Sequence, residues 1–306
     1  MDARWLRYFV AIAEAGSFSQ AGRHLGVAQP ALSRHLKQME EQLGTSLLRR
    51  TARGVTLTED GELIYRSALA ILRQLDTLPE LVGGHERAMT GRVVIGLPTS
   101  ASAVLATPLL LAAMDAYPGI QIHLIESLSG FLREWVQTGR LDLAVLYDAE
   151  ANSSLMVERM VREELCLVGA SSVLADVPPA IPLRELARFP LVLPGLPHSL
   201  RLLINGVALQ HGVTLSVVAE ADSLHILKNV VASGRACGVL ARSAARQEID
   251  AGTIAAVRIT DPSLRRTVSL ARPLLRGPNR AAEAIGRLCL DVAKKLSESG
   301  VWGDAD

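Results

Sequence analysis

The sequence predicts an α/β protein preceded by an all-α winged helix-turn-helix, and two observations carry that reading. Residues 17–37 read SFSQAGRHLGVAQPALSRHLK, two amphipathic helical patterns joined by a tight turn at Gly26. From residue 91 onward, short apolar runs alternate with helical patterns, which implies βαβ units and a mostly parallel sheet.

In the first of the two helices, Phe18 and Ser19 supply an apolar N′ residue and an N-cap, Ala21 and Leu25 share a face, and Gly26 is the stop. The second takes Pro30 as its first helical residue, where a missing N–H costs nothing, and ends at Gly44. At about 100° per residue, Leu32, Leu36, Met39 and Leu43 form a narrow apolar stripe, and Pro30, Ser33, Arg34 and Lys37 lie on the other side. One face packs, and the other carries donors that a buried face does not tolerate. In this plan the second helix enters the major groove of double-stranded DNA with its N-terminal residues at the base edges. Arg34 suits bidentate contact with guanine, Ser33 either kind of base, and Lys37 a phosphate.

The run LLRRTARGVTLT then places two β-prone pieces, Leu48 to Thr51 and Val55 to Leu57, around a turn containing Gly54. Such a wing brings Arg49, Arg50 and Arg53 to backbone phosphates or a minor groove. Residues 1–58 are net basic while the whole chain stands at +1, a local electrostatic footprint.

A linker helix comes next over residues 59–90, hinge included. Thr58 caps it, Glu59 and Asp60 suit its positive N-terminus, and Ile64, Ala68, Ile71, Leu75, Leu78 and Val82 recur at spacings of four and three. A seam of this kind is either a coiled-coil partner surface or one side of a globular core; its place between a DNA module and a larger domain favours dimerisation. Pro79 cannot donate to the carbonyl of Leu75 and is expected to kink or end the helix, with Gly83 and Gly84 as a hinge.

No charged N-terminal region precedes an apolar stretch, and the apolar run around Leu109 to Met114 is too short to span a bilayer. A cytoplasmic protein without a membrane partner is expected. Cys166, Cys237 and Cys289 are widely separated and odd in number, which suggests buried thiols rather than a disulfide framework or zinc cluster, with a Cys166–Cys237 redox pair as the remote alternative. The seven histidines lack metal spacing, and no G-x-S-x-G, G-x-x-x-x-G-K-[ST] or H-E-x-x-H is present. Neither an enzyme nor a metal or other cofactor is expected.

In the α/β half, Arg92 to Gly96, Ile120 to Glu126, Leu141 to Tyr147, Glu164 to Gly169, Leu191 to Leu193, Leu215 to Glu220 and Cys237 to Leu240 read as strands. Open α/β sheets bind ligands beyond the carboxyl ends of their strands. The groups found there are Thr99, Ser100 and Ser102, then Ser127 and Ser129, then His198 and Ser199, then Asp222 and Ser223. Small polar groups at helix starts, together with backbone N–H groups, suit an anion.

The segments RYFVAIAEAGSFSQAG, VAQPALSRHLKQMEEQLGTSLLRR and RGVTLTEDGELIY, with the α/β tail, resemble the LysR-type transcriptional regulators over essentially the full chain. GLPTSASAVLATPLL, LIESLSG and RLDLAVLYD are most similar to its nitrogen-assimilation branch. The resemblance implies a winged helix-turn-helix over 1–58, a dimerising linker helix, and an effector domain over 91–306 like a type 2 periplasmic binding protein. Subdomain I then takes about 91–163 and 269–306, and subdomain II about 164–268. It also implies DNA contacts from Gln29, Pro30, Ser33, Arg34 and the wing's Arg53, and an effector cleft at Ser100, Ser129, the loop of Pro197 and His198, and Ser223. A homodimer or homotetramer on an interrupted palindrome, a small effector, and RNA polymerase are the implied partners. The runner-up is a regulator without an effector, whose second domain serves only assembly. Ala241 stands where the family commonly has Pro, so the adjoining turn is expected to differ.

Overall fold

The computed structural model describes residues 2–51, 54–82, 89–274 and 279–305. The chain divides into two compact units, the first of Met1–Arg87 with the short segments Thr138–Arg140 and Arg276–Asn279, and the second of the remaining residues.

The first unit contains α1 (Ala3–Ala15), α2 (Phe18–Leu25), α3 (Gln29–Leu43), the antiparallel pair β1 (Leu48–Thr51) and β2 (Gly54–Leu57), and α4 (Glu59–Val82). Asp2 caps α1 by accepting from the Trp5 N–H at 3.0 Å, and Leu6, Phe9, Val10 and Ile12 supply its buried face. The cap of α2 is Ser17, which accepts from Gln20, rather than Ser19; Phe18 is already helical and buried in the core. Helix α3 starts at Gln29, one residue before Pro30, and ends at Gly44 in the left-handed region at φ 69°. Leu32, Leu36 and Met39 are buried as the stripe requires, but Leu43 is exposed because the helix ends before its side chain meets the core.

The wing is held to α3 by Glu40, whose carboxylate accepts from the Leu47 and Leu48 N–H groups at 2.7 and 3.2 Å. Gly54 is the first residue of β2, and a Cβ there would overlap the Gly16 carbonyl. Thr58 caps α4 by accepting from the Gly61 N–H at 2.9 Å, and its hydroxyl donates to the Ser46 carbonyl at 2.6 Å. Helix α4 continues through Pro79 to Val82, so that proline does not end it. The expected seam is split: Ala68 is 1% exposed within the first unit's own core, Ile64 and Leu75 pack against that core, and Ile71 is 43% exposed. Leu72, outside the heptad reading, is also buried, which shows that α4 turns this side to its own domain. Arg53, Gly83, Gly84 and the side chains of Leu78 and Val82 lie outside the described residues.

The second unit opens with β3 (Gly91–Leu97), α5 (Thr99–Ala116), β4 (Ile120–Glu126), α6 (Ser129–Gln137) and β5 (Leu143–Tyr147). β3 lies between β4 and β5 and runs parallel to both. β6 (Leu155–Ala170), β7 (Ala180–Pro182), β8 (Leu191–Leu193), α7 (Ser199–Gln210), β9 (Val217–Glu220), α8 (Leu224–Ala232), β10 (Gly238–Ala241) and α9 (Arg246–Asp250) come next. β11 (Ile254–Thr260), β12 (Arg265–Pro273), α10 (Arg280–Glu298) and β13 (Asp304–Ala305) complete the chain.

The main sheet is mixed, in the order β4-β3-β5-β12-β6-β11-β7, which corrects the expectation of a mostly parallel one. β12 runs antiparallel to β5 and β6, and β6 is antiparallel to β10 and β11. β6 has 16 residues, about 50 Å of strand. Its first half pairs with β12 beside one core, and its second half pairs with β10 and β11 beside another. Ala241 has φ −64°, the value a proline ring imposes, so its turn is proline-like after all.

Helix α5 has the length and hydropathy of a membrane span, which the shorter run Leu109 to Met114 did not disclose. It packs Ala101, Val104, Leu105, Leu109 and Ala113 into a core, as a central helix of a globular domain does.

In Gly61→Ala the new methyl group would overlap the Leu47 carbonyl, a backbone atom already accepting from Thr58. We expect urea unfolding of the first unit to show a loss of about 1–3 kcal/mol; unchanged stability would mean that α4 does not press on the wing there.

Candidate functional site

The first unit presents α3 outward. Gln29, Pro30, Arg34 and Lys37 are exposed and Ser33 is half-buried, all within the first turns after the Ala28 cap. Lys37 sits 3.7 Å from Glu41 in a solvent-exposed pair that costs little to open. Arg49 and Arg50 are exposed on β1, with the Arg50 guanidinium 5.7 Å from the centre of the Phe18 ring. The wing therefore lends Arg50 to the side of the unit on which α2 begins.

In the second unit the first strand-end loop leads directly into a buried polar cluster. Pro98 precedes α5 without a side-chain cap, so Thr99 and Ser100 are its first helical residues and their N–H groups lack intrahelical acceptors. The Ser102 N–H is already bonded to the Pro98 carbonyl at 2.8 Å. Ser100 Oγ lies 2.6 Å from the Tyr147 hydroxyl and accepts from Arg266 Nη2 at 3.2 Å. Arg266 stacks on Tyr147 with its guanidinium carbon 3.6 Å from the ring centre, and it donates from Nε to Glu163 Oε2 at 2.7 Å. The other oxygen of Glu163 accepts from the Trp302 indole N–H at 2.5 Å and from Ser243 at 3.4 Å. Both charged side chains are at most 2% exposed.

The electrostatics are set by that burial. Desolvation pulls the Arg266 pKa down, but the Glu163 carboxylate and the electron-rich Tyr147 outweigh it and hold the guanidinium above its usual range. Burial raises the Tyr147 phenol, against the pull of Arg266, so it stays protonated. Burial and then the Arg266 charge lower the His198 pKa, against Asp222, which keeps the imidazole neutral near pH 7. His198 Nδ1 accepts the Leu200 N–H at 3.1 Å as the cap of α7, which leaves Nε2 as the protonated, donating nitrogen.

The expected residues meet unequal fates. Ser100 is joined to the buried cluster by direct hydrogen bonds, and His198 lies within reach of the Arg266 field. Thr99 and Ser102 flank Ser100 half-buried on the first turn of α5. Ser129 is the first residue of α6 and half-buried, with no described bond to this cluster. Ser223 is exposed and caps α8, accepting from Ile226 at 3.4 Å, which accounts for its hydroxyl locally. Tyr147, Glu163, Arg266 and Trp302 were not singled out from the sequence. No pattern within a few residues marked them, since Arg266 stands beside Arg265 in RRTVSLARP and nothing in the sequence distinguishes the buried arginine from the exposed one.

All three cysteines are buried and free. Leu240, on the strand that continues from Cys237, pairs with Cys166, while Gly169 approaches Cys237, so the two thiols lie three residues apart on opposite faces of the sheet. No disulfide forms across such a separation without refolding. Burial pushes Cys166 and Cys237 up to about 11, helped at Cys166 by Glu164, and Cys289 up to about 12.

Comparison with known proteins is consistent along the chain. Residues 3–62 match the family described as "Bacterial regulatory helix-turn-helix protein, lysR family" and residues 86–294 the "LysR substrate binding domain". The nitrogen assimilation regulatory protein nac of Escherichia coli K12 is 34% identical over 99% of both chains, in line with the branch resemblance of the effector-domain segments. Among solved structures, a full-length OxyR variant from Pseudomonas aeruginosa superposes with a TM-score of 0.75 at 23% identity, covering 96% of this chain and 95% of that one. Full-length CbnR in complex with its target DNA gives 0.67 at 20% identity, with 96% and 99% covered.

Two outcomes test the cluster and the burial of the thiols. Glu163→Ala, which strands a buried guanidinium, is expected to lower stability in urea by about 3–5 kcal/mol, while Glu163→Leu combined with Arg266→Met recovers most of it; equal losses would show that the pair is not electrostatically coupled. At pH 8, with about one thiol in a thousand ionised for a pKa near 11, the native protein is expected to resist iodoacetamide. Reaction should rise tenfold per pH unit, and urea should release all three thiols; rapid native labelling at pH 8 would contradict their burial.

Proposed function

The chain belongs to the LysR family of DNA-binding transcriptional regulators, and we propose that it reads an interrupted palindrome in the cytoplasm as a homo-oligomer whose arrangement answers to a small organic anion. The carrying observation is the order of parts: an exposed Pro30–Arg34–Lys37 face on a capped helix, then a domain whose first strand-end loop opens on Ser100. Arg34 reads bases, Lys37 and the wing arginines Arg49, Arg50 and Arg53 engage phosphates, and Gln29, Pro30 and Ser33 shape the approach. Assembly uses the side of α4 that its own domain leaves open, where Leu63 and Ile71 are 59% and 43% exposed. Ile64, Ala68 and Leu75 instead brace α4 from within, so the dimer seam is narrower than a full heptad face.

For the effector, the free N–H groups at the start of α5, the Ser100 hydroxyl and the His198 Nε2–H are donors, and Arg266 lies behind them. A carboxylate fits such a set. Binding shifts the regulator only to the extent that it prefers one arrangement of the assembly over another.

Arg34→Ala is expected to lose most discrimination between the operator and random DNA, whereas Lys37→Ala weakens all sequences alike and flattens the salt dependence by roughly one unit. Fluorescence anisotropy across a salt series reads both, and an unchanged specificity ratio in Arg34→Ala would remove its base-reading role. Isothermal titration of organic acids into wild type and Ser100→Ala tests the cleft. A titration wholly unchanged by that substitution would count against the α5 cleft as the effector site, and no binding at all would favour a regulator without an effector.

A further inference from the structure

A cavity of about 720 Å³ lies among β6, β10, β11, α9 and the C-terminal segment at Gly300 to Gly303. Its size falls within the range of small-molecule sites, and Ser100, Ser129, His198 and Ser223 are not on its wall. Arg162, Arg242, Arg246 and Arg258 line it, against the carboxylates of Glu163, Glu164 and Asp250.

Those carboxylates are already engaged. Glu163 holds Arg266, which stands outside the cavity, and Glu164 is shared between Arg258 at 4.0 Å and Arg265, also outside, at 3.6 Å. Asp250 pairs with Arg246 at 3.3 Å. Arg242 forms no ion pair among the described residues, and its charge is felt at the Cys166 thiol on the same wall. The balance of charge around the space is therefore positive, and it is carried by guanidinium groups, whose planar fork suits carboxylates. Ile249, Ala256 and Val301 add apolar wall, which an inorganic anion does not use and a carbon skeleton does.

We infer that this cavity is a second small-molecule site, separate from the α5 cleft, that takes an organic di- or tricarboxylate with Arg242 as a principal ligand. The fold places it one side chain away from the first site. Glu163 forms part of its wall and holds Arg266, and Arg266 in turn donates to Ser100.

The test is isothermal titration of the full-length protein with succinate and with citrate, inorganic phosphate serving as the inorganic arm. Saturable binding of a carboxylate is expected to persist in Ser100→Ala and to weaken at least tenfold in Arg242→Ala, with phosphate at least tenfold weaker than the better carboxylate. Arg242 is exposed and pairs with no carboxylate among the described residues, so its truncation leaves the fold intact, which circular dichroism verifies. The inference fails if neither carboxylate binds, if Arg242→Ala binds as wild type does, or if Ser100→Ala abolishes the binding. It also fails as an organic-acid site if phosphate binds as tightly.

Discussion

The ion pair between Arg266 and Glu163 is the constraint on which the larger unit is organised. The two residues face each other across β12 and β6, and β6 is the strand whose residues enter successive cores of the unit. Burying two charges costs several kcal/mol each unless geometry and further hydrogen bonds compensate. Here the compensation comes from several different parts of the chain: Ser100 at the head of α5, Tyr147 at the end of β5, Ser243 after β10, and Trp302 beyond α10. A polar network of this kind is stable only when every member is in place. Satisfying it therefore sets how the start of α5, the turn after β10 and the C-terminal segment sit against the two long strands.

In the smaller unit the corresponding device is local. Glu40, one carboxylate on α3, accepts the N–H groups of Leu47 and Leu48, and Thr58 ties the start of α4 to the loop that leads into the wing. The close approach of Gly61 to the Leu47 carbonyl completes the contact. α3 and the wing thus behave as one rigid surface. A rigid surface spends less entropy on binding, since its side chains need not be ordered against DNA from a loose starting state.

Legibility differed with the range of the interaction. The turn at Gly26, the stop at Gly44, the buried Leu32, Leu36 and Met39, and the wing strands all derive from periodicity and capping within a few residues, and they stand in the structure as read. The first half of β6, with MVERMVREE, and β12, with RRTVSLARP, did not read as strands because charged side chains interrupt their apolar runs. Those charges pair across the sheet, Arg265 with Glu164 and Arg272 with Glu158, so their meaning lies in a partner about a hundred residues away. Likewise the heptad spacing of α4 was real, but spacing alone does not say which partner a seam meets. Its own domain took Ala68 and Leu72.

What the sequence determined by itself was the set of local devices: the glycine stops of α2 and α3, which face of α3 carries donors, which loops carry small polar groups, and the family to which the pattern belongs. Tertiary structure alone decided that Ser100 rather than Ser223 joins a buried cluster, that Arg266 rests on Tyr147 instead of reaching solvent, and that Cys166 and Cys237 stand on opposite faces of a sheet. The division has one physical cause. Backbone periodicity and capping act over a turn or two of chain, whereas desolvation and charge pairing depend on neighbours that only folding brings together.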